Sequence, residues 1–225
     1  MPQVWDKEKI AARIEHTLLK AEATTGQVIT LCEEAILHHF AAVCVNPVYI
    51  EIVAERLKGT PVKACAVVGF PLGANTSAGK AFEAGLAVKQ GAQEVDMVIQ
   101  VGALKTGEYD SVKKDIRAVV KAAQGAVVKV IIEACYLNEK EKKIACELVL
   151  AAGAHYVKTS TGLGSGGATL EDVRLLRQTV GHRLKIKAAG GIRTYAQAVA
   201  MLEAGADRIG TSSGVAIVQA AGSTG

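Results

Sequence analysis

The chain has 225 residues, of which 50% are hydrophobic but only 4% are aromatic. Its core must therefore consist mainly of Ala, Val, Ile and Leu, a composition that suits strands buried on both faces. The formal net charge of +4 is spread along the chain rather than gathered in Lys/Arg runs, which argues against nucleic acid as a partner. No apolar run is long enough to span a membrane and the N-terminal MPQVWDKEKI has no apolar signal region, so we expect a cytoplasmic protein with no membrane partner.

Eight strands are predicted in chain order, and a helical pattern follows each of them. The predicted strands span residues 15–19, 41–46, 62–69, 94–100, 127–133, 155–159, 184–189 and 208–212. A glycine closes the preceding helical segment at most of these boundaries, because glycine adopts a left-handed helix cap at little cost. These glycines are Gly59, Gly91, Gly125, Gly153, Gly181 and Gly205.

The helical segments carry apolar stripes and start signals. One stripe at helical spacing consists of Val112, Ile116, Val119, Val120 and Ala123. A second stripe consists of Val28, Leu31, Cys32, Ala35 and Ile36. The patterns Thr169-x-x-Asp172 and Asn138-x-x-Glu141 predict capping boxes at two helix starts.

Eight alternating βα units in a chain of this length predict the α/β class and a closed parallel (β/α)8 barrel, the TIM barrel architecture. An open doubly wound sheet is the alternative, although it usually needs fewer units. No linker or low-complexity segment interrupts the pattern. We therefore expect a single barrel domain over residues 1–225, with a short helical segment before the first strand and a short C-terminal tail.

The cysteines and histidines do not indicate a disulfide or metal framework. The five cysteines are odd in number, form no CxxC pair and lie mostly in apolar runs, so we expect reduced, buried thiols. The five histidines show no ligand spacing, and we infer no structural metal.

Strand parity predicts which side chains enter the barrel. Successive side chains of a strand face opposite sides, and the apolar set of a barrel strand packs against the helices. In residues 94–101 the apolar set is Val95, Met97, Ile99 and Val101, which leaves Glu94, Asp96, Val98 and Gln100 facing inward. The same parity directs inward Cys44, Asn46, Lys129, Ile131, Glu133, Lys158, Lys185 and Lys187.

Each inward residue also has a structural interpretation. Lys129 and Glu133 lie on one face of the same strand and could form an ion pair, and Asp96 could belong to a core salt bridge. Cys44 is better explained by packing than by chemistry. Lys158 and Lys187 are harder to explain structurally, because two like charges in one interior destabilise each other without an evident return.

Two lysines and an aspartate suit Schiff-base chemistry. An amine attacks a carbonyl only when neutral, and the pKa of a free lysine, about 10.4, must fall by about three units, or about 4 kcal/mol, to make it so near pH 7. Burial and a neighbouring cation both act in that direction. On these grounds either Lys158 or Lys187 could be the nucleophile and the other the cation, and Asp96 could move protons directly or through a water.

Glycine-rich segments follow the last two predicted strands. Gly190-Gly191 follows the seventh strand, and Gly210-Thr211-Ser212-Ser213-Gly214 follows the eighth and precedes a short helix. Backbone amides and hydroxyls at these positions suit a phosphate group, which barrels often hold after strands seven and eight. A tight turn that merely requires small residues is the alternative.

Six motifs resemble one family of enzymes. They are VCVNP at 43–47, GFPLG at 69–73, EVDMV at 94–98, VKTSTG at 157–162, KAAGGIRT at 187–194 and GTSSG at 210–214. Together, and in this order, they resemble the deoxyribose-phosphate aldolases, a family of class I aldolases also called DeoC. The likeness runs from about Glu15 to Val218.

The resemblance implies a TIM-barrel lyase that reversibly cleaves 2-deoxy-D-ribose 5-phosphate to acetaldehyde and D-glyceraldehyde 3-phosphate in sugar-phosphate catabolism. It implies no metal and no organic cofactor, a small sugar phosphate as the partner, and is compatible with a homodimer. In the family pattern Lys158 forms the Schiff base, Lys187 tunes its pKa and transfers protons, and Asp96 is a proton donor and acceptor. The implied substrate-binding residues are Cys44, Asn46, Thr159, Gly162, Gly190, Gly191, Ser212 and Ser213.

The chain also departs from the family pattern. Gln100 stands where similar sequences often have Asn, and Tyr136 where an aliphatic residue is usual. Leu163 occupies a position where some members have a lysine near the phosphate, which shifts the expected phosphate contacts to the Gly190-Gly191 and Ser212-Ser213 segments. The C-terminal AGSTG lacks the terminal tyrosine that some members fold over the site, so we expect no closing role for the tail.

Three alternatives stay open at this point. The first is another Schiff-base aldolase or a transaldolase-like enzyme on the same fold, which would share the lysine but use a different donor. The second is a phosphate-binding barrel isomerase, for which Glu133 is the inward candidate base. The third is a non-catalytic sugar-phosphate sensor, against which the inward lysine pair argues.

Overall fold

Eight parallel strands close into a barrel in the computed structural model, which describes residues 5–221. Each strand pairs with the next in the chain, and β8 returns to pair with β1. The strands are Ile14–Leu18 (β1), Ala42–Val45 (β2), Lys63–Val68 (β3), Glu94–Val98 (β4), Val127–Ile131 (β5), Tyr156–Lys158 (β6), Lys185–Ala189 (β7) and Arg208–Thr211 (β8). The predicted TIM barrel is confirmed and the open-sheet alternative is wrong. Residues 222–225 of the expected C-terminal tail lie outside the described residues.

Helices alternate with the strands around the outside of the barrel. They are Lys7–Ala11 (α1), Thr25–Leu37 (α2), Ile50–Leu57 (α3), Ser77–Lys89 (α4), Val101–Lys105 (α5), Tyr109–Ala122 (α6), Glu139–Ala151 (α7), Leu170–Val180 (α8), Tyr195–Glu203 (α9) and Gly214–Ala221 (α10). Short 3-10 turns follow β2 at Pro47–Tyr49 and β5 at Ala134–Tyr136. Within the described residues, each helix falls short of the length and hydrophobicity that a membrane crossing needs.

The start of α7 carries a complete capping box, whereas the start of α8 carries only half of one. Asn138 Oδ1 accepts from the Glu141 amide at 2.9 Å, and the Glu141 carboxylate accepts from the Asn138 amide at 2.8 Å. Thr169 caps α8 in the same way, but the Asp172 carboxylate pairs with Lys142 of α7 at 2.6 Å instead of returning to the backbone. The second box predicted from the sequence is therefore wrong, because a neighbouring helix provides a cation for Asp172.

Apolar residues form two unequal clusters on the two sides of the barrel wall. The large cluster lies between the strands and the helices and includes Val95 and Met97 of β4. The small cluster lies inside the barrel and consists of Cys44, Cys65 and Val67. Inside the barrel the rest of the described interior is rich in charge, as the strand parity predicts.

Two predicted strands, β4 and β5, end two residues sooner than expected, and both ends shape the mouth of the barrel. β4 stops at Val98, since Gln100 already leads into α5. β5 stops at Ile131, and Glu133 adopts a left-handed conformation with φ of 49° that starts the 3-10 turn. Lys185, predicted to face inward, is the exposed first residue of β7, and its ammonium lies 5.6 Å from the ring centre of Tyr156.

Candidate active site

Asp96 of β4 lies at the centre of the barrel and is shared by three lysines among the described residues. Its Oδ2 atom accepts from Lys158 Nζ and from Lys187 Nζ, each at 2.7 Å. Its Oδ1 atom accepts from Lys129 Nζ at 2.9 Å. All four side chains are buried. The strand parity therefore placed these residues on the correct face, and the closed barrel brings them into contact.

A second layer of charges lies beneath this centre and consists of Glu15, Glu94 and Arg208. Glu15 of β1 pairs with Lys187 and lies 3.1 Å from Lys129 Nζ. Lys129 Nζ also lies 2.5 Å from Glu94 Oε2. Arg208 lies 3.7 Å from Glu15 and 3.9 Å from Glu94. Among the described residues, the cluster thus joins four basic groups to three carboxylates, which leaves one excess positive charge when all are ionised.

The electrostatic environment keeps the carboxylate and two of the lysines charged. Burial by itself would raise the pKa of Asp96, but Lys129, Lys158 and Lys187 hold the pKa of that carboxyl well below its usual range. Burial would lower the pKa of Lys187, but the Asp96 and Glu15 carboxylates outweigh it and raise that pKa. The pKa of Lys129 is raised in the same way against its own burial, chiefly by Asp96. Lys187 and Lys129 are therefore cations at neutral pH.

Glu133 is not the partner of Lys129, which corrects the ion pair suggested by the sequence. Lys129 bonds to Asp96, Glu94 and Glu15 instead. The Glu133 carboxylate accepts from the Thr161 amide at 3.2 Å and from the Thr161 hydroxyl at 2.5 Å. This carboxylate therefore anchors the loop after β6, and the base that a barrel isomerase would need is already engaged.

A cavity of about 290 Å³ opens above the charged cluster at the carboxyl ends of β1, β6, β7 and β8. Of the predicted site residues, its lining includes Lys158, Gly162, Gly190, Gly191 and Ser212. Asp96 and Lys187 are fully buried beneath it. This placement is the one expected of a TIM-barrel active site.

Four predicted substrate-binding residues do not line this cavity. The Thr159 hydroxyl donates to the Ala189 carbonyl and accepts from the Ala189 amide, each at 3.1 Å, so Thr159 links β6 to β7. Cys44 is fully buried against Cys65. Asn46 is half-buried at the start of the 3-10 turn after β2. Ser213 is half-buried, and its amide already donates to Thr211 Oγ1 at 2.9 Å.

Backbone conformation favours glycine at two positions in the cavity wall, and close packing requires it at one of them. Gly162 and Gly190 have φ of 84° and 93°, in the left-handed region that favours glycine. A Cβ atom on Gly190 would lie 2.9 Å from Gly167 Cα, so a side chain has no room there. The first amides of α10, next to Ser212, have no acceptor within the helix. The cavity wall is therefore rich in backbone donors.

A smaller cavity of about 230 Å³ adjoins the first and shares Thr161 and Leu163 with it. This smaller cavity is lined by two residues that depart from the family pattern, Tyr136 and Leu163. Both are exposed, with 48% and 62% of their surface accessible. Glu133 forms part of the same wall. The Glu133–Thr161 contact therefore separates the two cavities.

Within residues 5–221, two buried groups of side chains could offer ligand atoms to a metal ion. They are Cys44 with Cys65 and Asp96, and Glu15 with Cys65 and Glu94. The carboxylates of both groups are already paired with lysines, and these cations would oppose a further positive ion. The absence of a structural metal stays a prediction.

Glu15 and Arg208 are the residues of the cluster that sequence reasoning missed. Ile14 packs outward in the large apolar cluster, so parity assigns Glu15 to the interior. The predicted first strand began at residue 15, one residue late, and so lost the apolar neighbour that would have revealed this alternation. Arg208 opens β8 at the opposite end of the barrel from the cavity, where strand parity carries no functional signal.

Comparison with known proteins gives one consistent family. The family model described as "DeoC/LacD family aldolase" matches residues 10–220. A deoxyribose-phosphate aldolase of Geobacillus sp. (strain WCH70) is 61% identical over 214 residues, which cover 95% of this chain and 96% of that protein. The enzyme of the same name from Thermococcus gammatolerans is 60% identical over 216 residues, 94% of this chain and 96% of its own.

Solved structures agree with the sequence relatives. A protein titled "QR15, an Aldolase" superposes with a TM-score of 0.90 at 41% identity, covering 94% of this chain and 95% of its own. The deoxyribose phosphate aldolase of Aeropyrum pernix, described as a unique tetrameric structure, superposes with a TM-score of 0.89 at 36% identity over 95% of this chain and 91% of its own.

Proposed function

The chain belongs to the DeoC/LacD family of aldolases, and on that premise we propose that it reversibly cleaves 2-deoxy-D-ribose 5-phosphate to acetaldehyde and D-glyceraldehyde 3-phosphate through a Schiff base on Lys158. The relatives that match along nearly their whole length carry the name of this activity. The proposal assigns the attack to Lys158, the supporting positive charge to Lys187 and the proton transfer to Asp96.

One observation carries the choice of nucleophile. Of the lysines that contact Asp96 in the described chain, Lys158 lines the cavity, whereas Lys129 and Lys187 lie fully buried beneath it. A substrate carbonyl in the cavity can therefore meet the Lys158 amine and not the other two. Residue chemistry alone left this choice open.

The charges of the cluster support separate roles for its lysines. With every group ionised the cluster carries one excess positive charge, and Lys187 and Lys129 both hold their protons firmly. Asp96 Oδ2, 2.7 Å from Lys158 Nζ, is placed to exchange a proton with the Lys158 amine directly or through a water.

The reaction then follows from amine chemistry. Neutral Lys158 adds to the C1 aldehyde of the open-chain sugar, and loss of water gives an iminium ion. The 3-hydroxyl gives up its proton and the C2–C3 bond breaks, with its electron pair drawn into the iminium to form an enamine. D-glyceraldehyde 3-phosphate leaves, the enamine takes a proton at C2, and hydrolysis releases acetaldehyde and restores the amine.

The cavity wall suits the phosphate of this substrate. Gly162, Gly190 and Gly191 bring backbone close to the cavity on one side, and Ser212 precedes the amides of α10 on the other. Leu163 provides no charge where some relatives have lysine, but Lys20 and Arg193 also line this cavity. We assign them the positive charge that the phosphate requires.

Trapping with borohydride tests the proposal. The protein is incubated with acetaldehyde, reduced, and mapped by peptide mass, with a chelator present in a parallel sample. We expect an ethyl adduct on Lys158, with and without chelator, and none in Lys158→Met. Lys185→Met is the matched control, because Lys185 is exposed at the start of β7, and it should label as the wild type does. An unlabelled protein, or a label on Lys187, contradicts the assignment.

Cleavage itself is the second arm of the test. Release of D-glyceraldehyde 3-phosphate from 2-deoxy-D-ribose 5-phosphate is followed through a coupled dehydrogenase. Labelled Lys158 without cleavage would support a different Schiff-base aldolase, with another donor. Cleavage that persists at the full rate in Lys158→Met would overturn the mechanism.

Location and assembly belong to the same proposal. All five cysteines lie in the described residues and are free, which fits a reducing cytoplasm. We assign the chain a homodimer as its assembly, and exposed Phe82 and Leu86 on α4 offer an apolar face for it. Light scattering on the purified protein tests this, and a monomer or a tetramer would contradict it.

A further inference from the structure

Thr211, the last residue of β8, lines the cavity of about 290 Å³ and joins its two sides through one hydroxyl group. Its Oγ1 donates to the Ile192 carbonyl at 2.7 Å and accepts from the Ser213 amide at 2.9 Å. Ile192 belongs to the loop after β7 that begins with Gly190 and Gly191, and Ser213 directly precedes α10. One side chain thus links both segments proposed to hold the phosphate.

We infer that Thr211 is a positioning residue that sets the spacing of the phosphate site and so determines how strongly the enzyme prefers phosphorylated substrates. The inference rests on the proposed function and extends it to a residue with no part in the chemistry of the amine.

The environment of Thr211 makes its hydroxyl hard to replace. The residue is 6% exposed, so water cannot readily take over either hydrogen bond. Without the hydroxyl, both the Ile192 carbonyl and the Ser213 amide lose their partner, and a buried polar group without a partner is costly. The loop after β7 and the start of α10 would each move to find new partners.

The same bond decides which donors remain for a phosphate. Since Thr211 takes the Ser213 amide, that amide is not free for a ligand. The donors left on this side are the hydroxyl of Ser212, which lines the cavity, and the first amides of α10 itself. Across the cavity, the position of Gly190 and Gly191 depends on where Ile192 is held. The distance between the two donor sets therefore depends on the Thr211 bridge.

The bridge is separate from the amine centre. Gly210, the residue before Thr211, faces the barrel interior, and a Cβ on it would lie 2.9 Å from Lys187 Cε. Thr211 has the opposite parity and bonds to backbone outside the charged cluster. A change at Thr211 should therefore act on phosphate recognition more than on the Schiff base.

The experiment compares Thr211→Val, which keeps the shape and removes the hydroxyl, with Thr211→Ser, which keeps the hydroxyl. Both are assayed with 2-deoxyribose 5-phosphate and with 2-deoxyribose. In Thr211→Val we expect the ratio of the two kcat/KM values to fall about tenfold, mostly through a higher KM for the phosphorylated sugar, as loss of one or two hydrogen bonds allows. Thr211→Ser should recover the wild-type ratio to within about threefold.

Thr60→Val is the matched control. The Thr60 hydroxyl also donates to a backbone carbonyl, that of Leu57 at 2.7 Å, but it lies before β3 at the other end of the barrel. Its loss should leave the ratio unchanged. An unchanged ratio in Thr211→Val, an equal loss on both sugars, or a Thr211→Ser variant as impaired as Thr211→Val would each overturn the inference, because each is the result of a merely structural role.

Titration with inorganic phosphate separates this inference from the proposed activity. Isothermal calorimetry should show phosphate binding to wild type and Thr211→Ser, and about tenfold weaker binding to Thr211→Val. If the wild type binds phosphate in this pattern but does not cleave the sugar, the proposed activity fails and the inference stands. If the wild type cleaves the sugar but its phosphate affinity is the same in all three proteins, the inference fails and the activity stands. A wild type that binds no phosphate overturns the inference.

Discussion

Lys158 of β6 and Lys187 of β7 are register partners on adjacent parallel strands, and both ammonium groups contact the same oxygen of Asp96 at 2.7 Å. They differ in their second partner, because Lys187 also pairs with Glu15, whereas Lys158 faces the cavity. This difference assigns the two lysines separate roles.

Replacing Lys187 with Met should impair labelling of Lys158 by acetaldehyde and borohydride. The change removes the cation next to the Lys158 amine and leaves the Asp96 and Glu15 carboxylates with fewer partners. A neighbouring cation favours the neutral, reactive form of a lysine, and unpaired carboxylates oppose it. We expect the pH profile of labelling to move upward by about one unit or more. Peptide mapping across a pH series measures this, with Lys185→Met as the control. A profile that stays in place, or moves to lower pH, would show that Lys187 has no such influence.

Replacing Asp96 with Asn should destabilise the fold in a pH-dependent way. The substitution removes the carboxylate that Lys129 and Lys187 share. Removing one partner of a buried ion pair lowers the free energy of unfolding by about 3–5 kcal/mol near neutral pH. The pKa of Asp96 is lower in the fold than its ordinary value of 3.8, so its contribution is complete above that pH and disappears as the pH falls toward the folded value. The stability difference between the two proteins should therefore be constant above about pH 5 and shrink below pH 4.

Urea unfolding at a series of pH values measures that difference. Asp110→Asn on α6 is the control, because Asp110 is exposed to solvent. A difference that persists undiminished in acid would contradict the assignment of a buried, ionised Asp96.

Gly190→Ala should destabilise the protein more than Gly191→Ala. Both glycines have positive φ, 93° and 80°, so each substitution carries a backbone strain of about 1–2 kcal/mol. A Cβ on Gly191 meets open space, whereas one on Gly190 lies 2.9 Å from Gly167 Cα, which cannot move independently. Thermal unfolding of the two variants tests this. Equal melting temperatures would contradict the prediction, because they would mean that the backbones at Gly190 and Gly167 move apart at little cost.

The buried pair of Lys80 and Asp115 should behave as one unit in a double-mutant cycle. Their contact is 2.7 Å long and fully buried, and Lys80 Nζ also donates to the Val98 carbonyl at 2.9 Å. Lys80→Met leaves the Asp115 charge unpaired and should cost about 3–5 kcal/mol. Adding Asp115→Leu should restore part of that loss, because the unpaired carboxylate is gone. Losses that simply add would mean that the two residues act independently.

Much of the fold could be predicted because its signals are local. Glycine caps and apolar stripes depend on neighbours within one or two turns, and all eight predicted strands overlap those of the structure. Partner choice is not local. The carboxylates of Lys129 come from β1 and β4, and the partner of Asp172 comes from α7, so the predicted Lys129–Glu133 pair and the Thr169 capping box were wrong.

Strand alternation in the amino-acid sequence is enough to place Asp96, Lys158 and Lys187 on a common interior face, because a period of two along each strand allows no other face for them. Only the packing of the closed barrel selects the lysine that meets a substrate. Gly210 on β8 has no side chain, and the Lys187 stem passes over it toward Glu15, the register partner of Gly210 on β1. Lys187 is thereby held below the cavity and Lys158 remains at its floor, an outcome that depends on contacts between residues nearly a whole chain length apart.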